Sequence, residues 1–409
     1  MTMRILFLMR DALPPFRADV QVLFGKYLPK LGIYSDIMGQ VDPDYTDKVT
    51  WLAGKAIVAG AENKGIFAEF IRPIRDSIAL MRYHEAYDLI QVRDKIRTAA
   101  FAWAYAKWQK KPFVYWMSFP FVEGFEITAQ NRKQAGIIMK LADYIRIHAS
   151  RYLFYTWVLP KAEHIFVQSE AMRDWLIDKG YAAERMTSVP MGVDTEQFQR
   201  DQIIPNDDAR LIGKRVIIYV GQTSKARLSD FMLDLVIALK DAEPSIMLIL
   251  AGDAPSAEEQ LWIREAISQR NLEDHVLLTG WLSQEHILRY VVRAEVGLSP
   301  IPRGELFDVS SPTKLVEYLA LGLPGVANDI PDQKLVIEQS QAGLCVPMEI
   351  NAFRDAILKL LNDAAFHRQC TEKGPVFIKN ERAYDMIAKR VAHTYESILA
   401  RHAYPTRIS

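Results

Sequence analysis

The 409-residue chain is long enough for two or three domains, each with a sizeable buried core. Half of its residues are hydrophobic and 24% are charged, which excludes a disordered chain; 50 Lys and Arg balance 50 Asp and Glu, so nucleic acid is not expected as a partner. Cys345 and Cys370 stand far apart with no Cys-x-x-Cys, and the histidines form no His-x-x-x-His pair, so we expect a reducing compartment, no metal site and no cofactor.

In chain order, residues 4–9 read as a buried strand, ended at Arg10-Asp11 and Pro14-Pro15. That run is too short for a signal core or a membrane span, so the expected location is cytoplasmic. Apolar residues at helical spacing over 20–31 and a strand over 34–38 follow. The connecting loop lacks Gly-x-Gly-x-x-Gly, so a dinucleotide is not indicated.

A strand over 87–93 leads to a helix over 96–109, in which Phe101, Trp103, Tyr105 and Trp108 are interleaved with lysines and arginines. Between Lys95 and Lys161 eleven basic residues face three acids, a pattern that suits either contact with an anionic inner-membrane surface through residues 95–161 or an aromatic core with a solvated basic face. A strand over 111–117 ends in an aromatic loop over 118–125, and ligands of open parallel sheets sit beyond such strand ends. Ser118, Glu123 and Glu126 are therefore candidates to line a cleft, with Arg17 in the first loop; the two glutamates suit sugar hydroxyls, and solvated loop acids have the same pattern. A helical stretch over 137–159, a strand over 164–169 and a helix over 170–179 complete this half, and the polar segment 199–214 reads as a linker.

The second half alternates strands at 215–221, 246–251, 276–281 and 296–300 with helices at 229–240, 258–270 and 285–293. The expected fold class is α/β: two Rossmann-like, doubly wound domains facing across a cleft, over 1–198 and 212–375. The most informative stretch is 310–330. Ser310, Ser311, Pro312 and Thr313 open a helix whose N-terminal N–H groups suit a phosphate, and Glu317 lies one turn further in, where a ribose can follow. An ordinary amphipathic element of an α/β domain has the same spacing.

Several short segments fall in a shared order: Ser188-Val189-Pro190-Met191-Gly192-Val193-Asp194; Val220-Gly221 with basic Lys225 and Arg227; Leu250-Ala251-Gly252-Asp253; Leu278-Thr279-Gly280; and Pro312-x-Lys314-x-x-Glu317-Tyr318-x-Ala320-x-Gly322-x-Pro324. In that order and spacing the chain resembles glycosyltransferase family 4, retaining enzymes of the GT-B fold. The resemblance implies a nucleoside-diphosphate sugar donor in the C-terminal domain and a saccharide or lipid-linked acceptor in the N-terminal one. It also implies a last helix, over 376–405, packing back on the N-terminal domain. Glu317 resembles the ribose carboxylate, Lys225 or Arg227 the catalytic cation on the diphosphate, and Gly280, Trp281 and Leu282 the nucleobase edge. Gly221, Gln222, Gly252, Ser310, Ser311, Pro312, Thr313, Lys314 and Leu315 complete the donor set. The implied function is a hexosyltransferase of polysaccharide or glycoconjugate synthesis, cytoplasmic and peripheral to the inner membrane.

The chain departs from the family pattern at three places. Val309 stands where the first glutamate of a Glu-x7-Glu pair is usual, Gln222 where an arginine is common, and Pro14-Pro15-Phe16 where the first loop is glycine-rich. These departures keep two other readings open, a non-catalytic subunit of the same fold and a sugar-nucleotide epimerase.

Overall fold

The computed structural model describes residues 2–403 apart from 46, 63–67, 84 and 133–135. Lys133 of the basic stretch and residues 404–405 of the expected last helix lie outside the described residues. The chain divides into two compact units, Met1–Pro190 with the C-terminal segment from Tyr384, and Met191–Ala383.

In the first unit, β1 (Met3–Met9), β2 (Ile33–Val41), β3 (Ala56–Ala61), β4 (Leu89–Arg93), β5 (Phe113–Met117), β6 (His164–Val167) and β7 (Met186–Ser188) form a parallel sheet. Their order is β3-β2-β1-β4-β5-β6-β7, so the direction of winding reverses between β1 and β4. Such a switch point opens a crevice at the carboxyl ends of the two strands. Neither β3, an edge strand of Ala-Ile-Val-Ala-Gly-Ala, nor the Ala68–Arg82 helix with its internal Pro73 carries a strong periodic signal, and sequence patterning misses both. The expected aromatic loop over 118–125 is a correction. Pro120 caps a helix at Phe121–Asn131, so only the first residues of that stretch form a loop.

Aromatic rings knit the core of this unit. Phe7 meets Phe24 at a centroid separation of 4.5 Å, Phe24 meets Trp116 at 5.3 Å, Trp116 meets Phe166 at 4.9 Å and Phe166 meets Tyr395 at 5.2 Å. Tyr395 belongs to the C-terminal helix Tyr384–Ala403, which buries Tyr384, Ile387, Val391 and Ile398 in the same cluster. Its hydroxyl donates to the buried Gln91 Oε1 at 2.6 Å. The expected single helix from residue 376 is broken. One helix ends at Phe377, a π-turn covers Ile378–Arg382, and Ala383 is extended and bridged to Val193 before the last helix starts.

In the second unit, β8 (Arg215–Val220), β9 (Ile246–Ala251), β10 (Val276–Leu278), β11 (Val296–Ser299), β12 (Gly325–Asn328) and β13 (Gly343–Val346) form a second parallel sheet in the order β10-β9-β8-β11-β12-β13. Winding reverses here between β8 and β11. Strand β8 shows why its sequence is an unbroken apolar run: Val216 and Ile218 pack into one core cluster, and Ile217 and Tyr219 into another. The polar segment 199–214 does not span open space. Leu211 is fully buried in the second unit's core, and the Arg200 guanidinium donates to the carbonyls of Leu321 and Val292, each at 3.0 Å.

Truncating the end of the aromatic file tests this account. Tyr395→Ala should destabilise the protein by about 3–5 kcal/mol, and Tyr395→Phe, which removes only the hydroxyl, by about 1–3 kcal/mol. Urea unfolding of the two variants measures the difference.

Candidate functional site

The carboxyl ends of β8, β9 and β10 and the start of the Thr313–Ala320 helix build one edge of the second unit. The Val220 N–H donates to the Tyr318 hydroxyl at 2.8 Å, tying the end of β8 to that helix. Gly221 follows at φ +144°, and a Cβ there would meet the Tyr219 hydroxyl at 3.2 Å and Lys314 Cε at 3.5 Å. Gly252, at the end of β9, approaches closer still: a Cβ on it would lie 2.2 Å from the Gly221 carbonyl oxygen. Only glycine lets these two strand ends meet, which leaves the backbone open for a ligand to approach.

Lys314 and Glu317 are three residues apart on the helix and share a face. The Lys314 ammonium sits 4.5 Å from the Tyr219 ring centroid and donates to its hydroxyl at 3.4 Å. Burial and the neighbouring Arg227 bring Lys314 down to about 8, against the attraction of Glu317. Burial pushes the Glu317 carboxyl up to about 7, with Lys314 opposing the rise. Tyr219, also buried, is pushed up to about 12. The site thus concentrates cationic charge beside a helix N-terminus that no side chain caps, and both features favour an anion.

The two candidate cations separate in space. The Lys225 ammonium lies over the Trp262 ring at 4.8 Å, whereas Arg227 is the one whose charge acts on Lys314 and Tyr219. Gln222 is exposed in the loop after Gly221. Gly280, at φ +67° with open space around it, follows β10, and Trp281 is 77% exposed beside Leu282. The Ser311 hydroxyl accepts from the Met191 N–H at 3.0 Å and donates to Asp332 at 2.7 Å, and Ser310 donates to the Phe307 carbonyl at 2.6 Å. Leu315 is buried in the core. Ser310, Ser311 and Pro312 thus form the turn, Thr313 and Lys314 begin the helix, and Leu315 anchors it in the core. Val309 is buried, and of the nearby acids Asp308 is held by Arg303 at 2.9 Å and Glu305 is exposed. Sequence reasoning missed Tyr219 and Tyr318, because nothing in a strand or helix pattern announces which hydroxyl will meet a neighbouring backbone.

In the first unit the candidates are more deeply engaged. Glu123 lies on the Phe121–Asn131 helix and not in the expected loop; it is 4% exposed, and both its oxygens accept from the Tyr155 hydroxyl at 2.9 Å. Ser118 donates its N–H to Asp94 at 2.9 Å and its hydroxyl to the same carboxylate, holding Asp94 at φ +57°. Arg17 reaches Asp19 at 3.4 Å, and Asp19 in turn accepts from the fully buried Arg93 at 2.7 Å. Among the described residues no group of three His, Cys, Asp or Glu stands close enough to hold a metal ion.

Two doubly wound parallel sheets, one with glycines at adjacent strand ends beside a helix N-terminus, define a class of α/β protein whose ligands lie beyond the carboxyl ends of the strands. The profile described as "Glycosyltransferase Family 4" matches residues 23–197, and that described as "Glycosyl transferases group 1" matches residues 214–363. The chain belongs to the family 4 glycosyltransferases of the GT-B fold. It is 29% identical over 191 residues to the amylovoran biosynthesis glycosyltransferase AmsK of Erwinia amylovora, 45% of each chain. It is 23% identical over 184 residues to the alpha-D-kanosaminyltransferase of Streptomyces kanamyceticus, covering 45% of this chain and 46% of that one. The chain spans about half the length of the curated relatives it matches. In fold it is similar to Anabaena HepE in complex with UDP and glucose, with a TM-score of 0.66 at 16% identity over 97% of this chain and 100% of that one.

The approach of Gly252 to Gly221 gives a sharp expectation. Gly252→Ala should force the two strand ends apart, lowering the thermal midpoint and weakening nucleoside diphosphate binding together, as read by thermal shift with and without UDP or GDP. Trp281→Ala, at an exposed side chain, should leave the unliganded midpoint nearly unchanged.

Proposed function

We propose that the protein is a retaining glycosyltransferase that moves a hexose from a nucleoside-diphosphate sugar to a saccharide or lipid-linked saccharide, in polysaccharide or glycoconjugate synthesis. The observation that carries this reading is the single edge where the Gly221 loop, Lys314, Glu317 and Arg227 come together. A diphosphate fits the helix start and the Lys314 and Arg227 charges, and Glu317, a turn deeper, accepts from the ribose hydroxyls. When the bond from the sugar C1 to the diphosphate breaks, the electron pair stays on the phosphate oxygen, and these fixed cations stabilise the charge that forms there. Gly280 to Leu282 meet the base. AmsK's role in amylovoran biosynthesis and the UDP and glucose bound by HepE support the same reading.

The acceptor belongs to the first unit, whose Ile137–Arg151 helix supports a lipid-linked acceptor. Ile137 and Ile138 are 87% and 85% exposed, Leu141, Tyr144 and Ile145 are exposed with them, and Lys140, Arg132 and Arg151 flank this face. A cytoplasmic protein lying on the anionic inner-membrane surface is the arrangement that this face suits. Among the described residues no helix is long and apolar enough to cross a membrane. The Ile96–Gln109 helix contributes less to such a surface than its composition suggests. Trp103 packs on Trp157 at 4.8 Å, and Lys95 is buried against Asp76. A second reading, a non-catalytic subunit that binds nucleotide without turnover, is favoured by the buried Val309 in place of a carboxylate.

Calorimetry with UDP, GDP and ADP, followed by release of diphosphate from the matching sugar donor, tests both readings. Binding with turnover supports the transferase, and binding without turnover on a broad acceptor panel supports the second. Affinity should peak between about pH 7 and 8, falling below as Glu317 takes up a proton and above as Lys314 loses one. Glu317→Gln should remove the acid limb and Lys314→Met the alkaline limb. Arg227→Ala should lower kcat with little change in acceptor KM, because its charge acts on the departing diphosphate.

A further inference from the structure

We infer that the second unit holds a further ligand site, at the amino ends of its strands, for a small hydroxylated molecule that bears a phosphate group. A cavity of about 410 Å³ lies there, lined by Arg200, Arg215, Glu295, His367 and Arg368. Its volume falls within the roughly 300–1,000 Å³ usual for small-molecule pockets. Arg215 opens β8, Glu295 directly precedes β11, and Pro324, also in the lining, directly precedes β12. These three strands are neighbours in the sheet, and the Gly221 loop with Lys314 and Glu317 belongs to the opposite, carboxyl-end edge. The cavity is therefore separate from that edge, and what binds in it is independent of the sugar donor.

The three guanidinium groups have unequal partners. Arg215 is balanced: its Nε donates to the Glu295 carboxylate at 3.0 and 2.9 Å, a terminal nitrogen lies 3.7 Å from Glu243, and another donates to the Leu361 carbonyl at 2.6 Å. Arg200 meets only neutral acceptors, the carbonyls of Leu321 and Val292, each at 3.0 Å. Burial lowers it from its ordinary value, and no carboxylate among the described residues opposes that. Arg368 is exposed on the Ala364–Phe377 helix and pairs with none of the described residues. Three arginines thus stand against Glu295 in the lining, and counting Glu243 behind Arg215 still leaves a positive charge over.

A phosphate group supplies the missing counter-charge. Guanidinium groups present paired N–H donors that match phosphate oxygens two at a time, and Arg200 and Arg368 both have N–H groups to spare. His367 adds a different contact. Its Nε2 lies 2.9 Å from the Glu295 carbonyl oxygen, which can only accept, so Nε2 carries the proton and Nδ1 is left to accept from a hydroxyl. Cations for a phosphate beside an acceptor for a hydroxyl, in a space wider than a phosphate alone requires, describe a sugar phosphate or a nucleotide.

Calorimetry on the full chain with glucose 6-phosphate, UMP and uncharged glucose tests the site and separates those two sources. At least one of the phosphate-bearing probes should bind while glucose does not, and binding should weaken as salt is raised. Arg368→Glu reverses a charge at an exposed position, so the thermal midpoint should stay near that of the wild type while the probe binds about tenfold or more weakly. Arg368→Lys, which keeps the charge and removes the paired donors, should fall between. Lys314→Met, at the other edge of the sheet, should leave this binding unchanged. Binding by neither phosphate probe, equal binding by the wild type and Arg368→Glu, or loss of binding on Lys314→Met overturns the proposal. Nucleoside diphosphate affinity of the Lys314→Met variant is read separately, so the failure of one site is distinguishable from the failure of the other.

Discussion

The hydrogen bond from the Val220 N–H to the Tyr318 hydroxyl ties the strand ends of the second unit to the Thr313–Ala320 helix. It ties the last backbone group of the central strand to a helix nearly a hundred residues later, and its acceptor belongs to the buried Tyr318 side chain, which limits competition from water. Tyr318 can lie there because Gly297 of β11 has no side chain; a Cβ on that residue would stand 2.4 Å from the Tyr318 ring. The glycine at the strand end and the close approach of Gly252 follow from the same packing. A chain that places a large ring at the switch point must empty the neighbouring strand positions, and this one does so with glycine.

Electrostatics at that edge are set by burial more than by pairing. Lys314 and Glu317 attract each other, yet desolvation is the larger effect on both, and it moves their proton equilibria toward neutrality from opposite sides. Arg227, exposed in its loop, adds to the depression of Lys314. A bound diphosphate would return counter-charge to Lys314 and Arg227. The helix start assists, although its macrodipole contributes only about 0.3–2 kcal/mol, less than charge-assisted hydrogen bonds from fixed side chains.

The two units share a winding pattern and differ in what their strand ends carry. The second has glycines and an open backbone. The first has a set of buried ion pairs, with Arg93 between Asp11 and Asp19, and Lys95 with Asp76 and Gln40. Breaking a buried pair of this kind leaves an uncompensated charge and destabilises by about 3–5 kcal/mol. Such groups hold the loops after β1 and β4 in one arrangement.

By itself the sequence determined the alternation of strands and helices, the parallel α/β class and the family, because apolar periodicity, glycines and motif spacing are local properties of a chain. Weakly patterned elements escaped it: β3 is an edge strand of small residues, and β13 is only four residues long. The polar composition of 199–214 suggested a linker, but the buried Leu211 and hydrogen bonds from Arg200 and Asn206 and to the carbonyls of Ile204 and Leu211 dock it. Tertiary structure alone decided which polar side chains are spent inside the protein. Ser311 and Glu123 carry suitable chemistry, yet they are committed to Asp332 and Tyr155, while Arg200, Arg215, His367 and Arg368 converge from three separate stretches of chain. Hydrogen-bond partners and charge convergence depend on residues distant in sequence, and no local pattern encodes them.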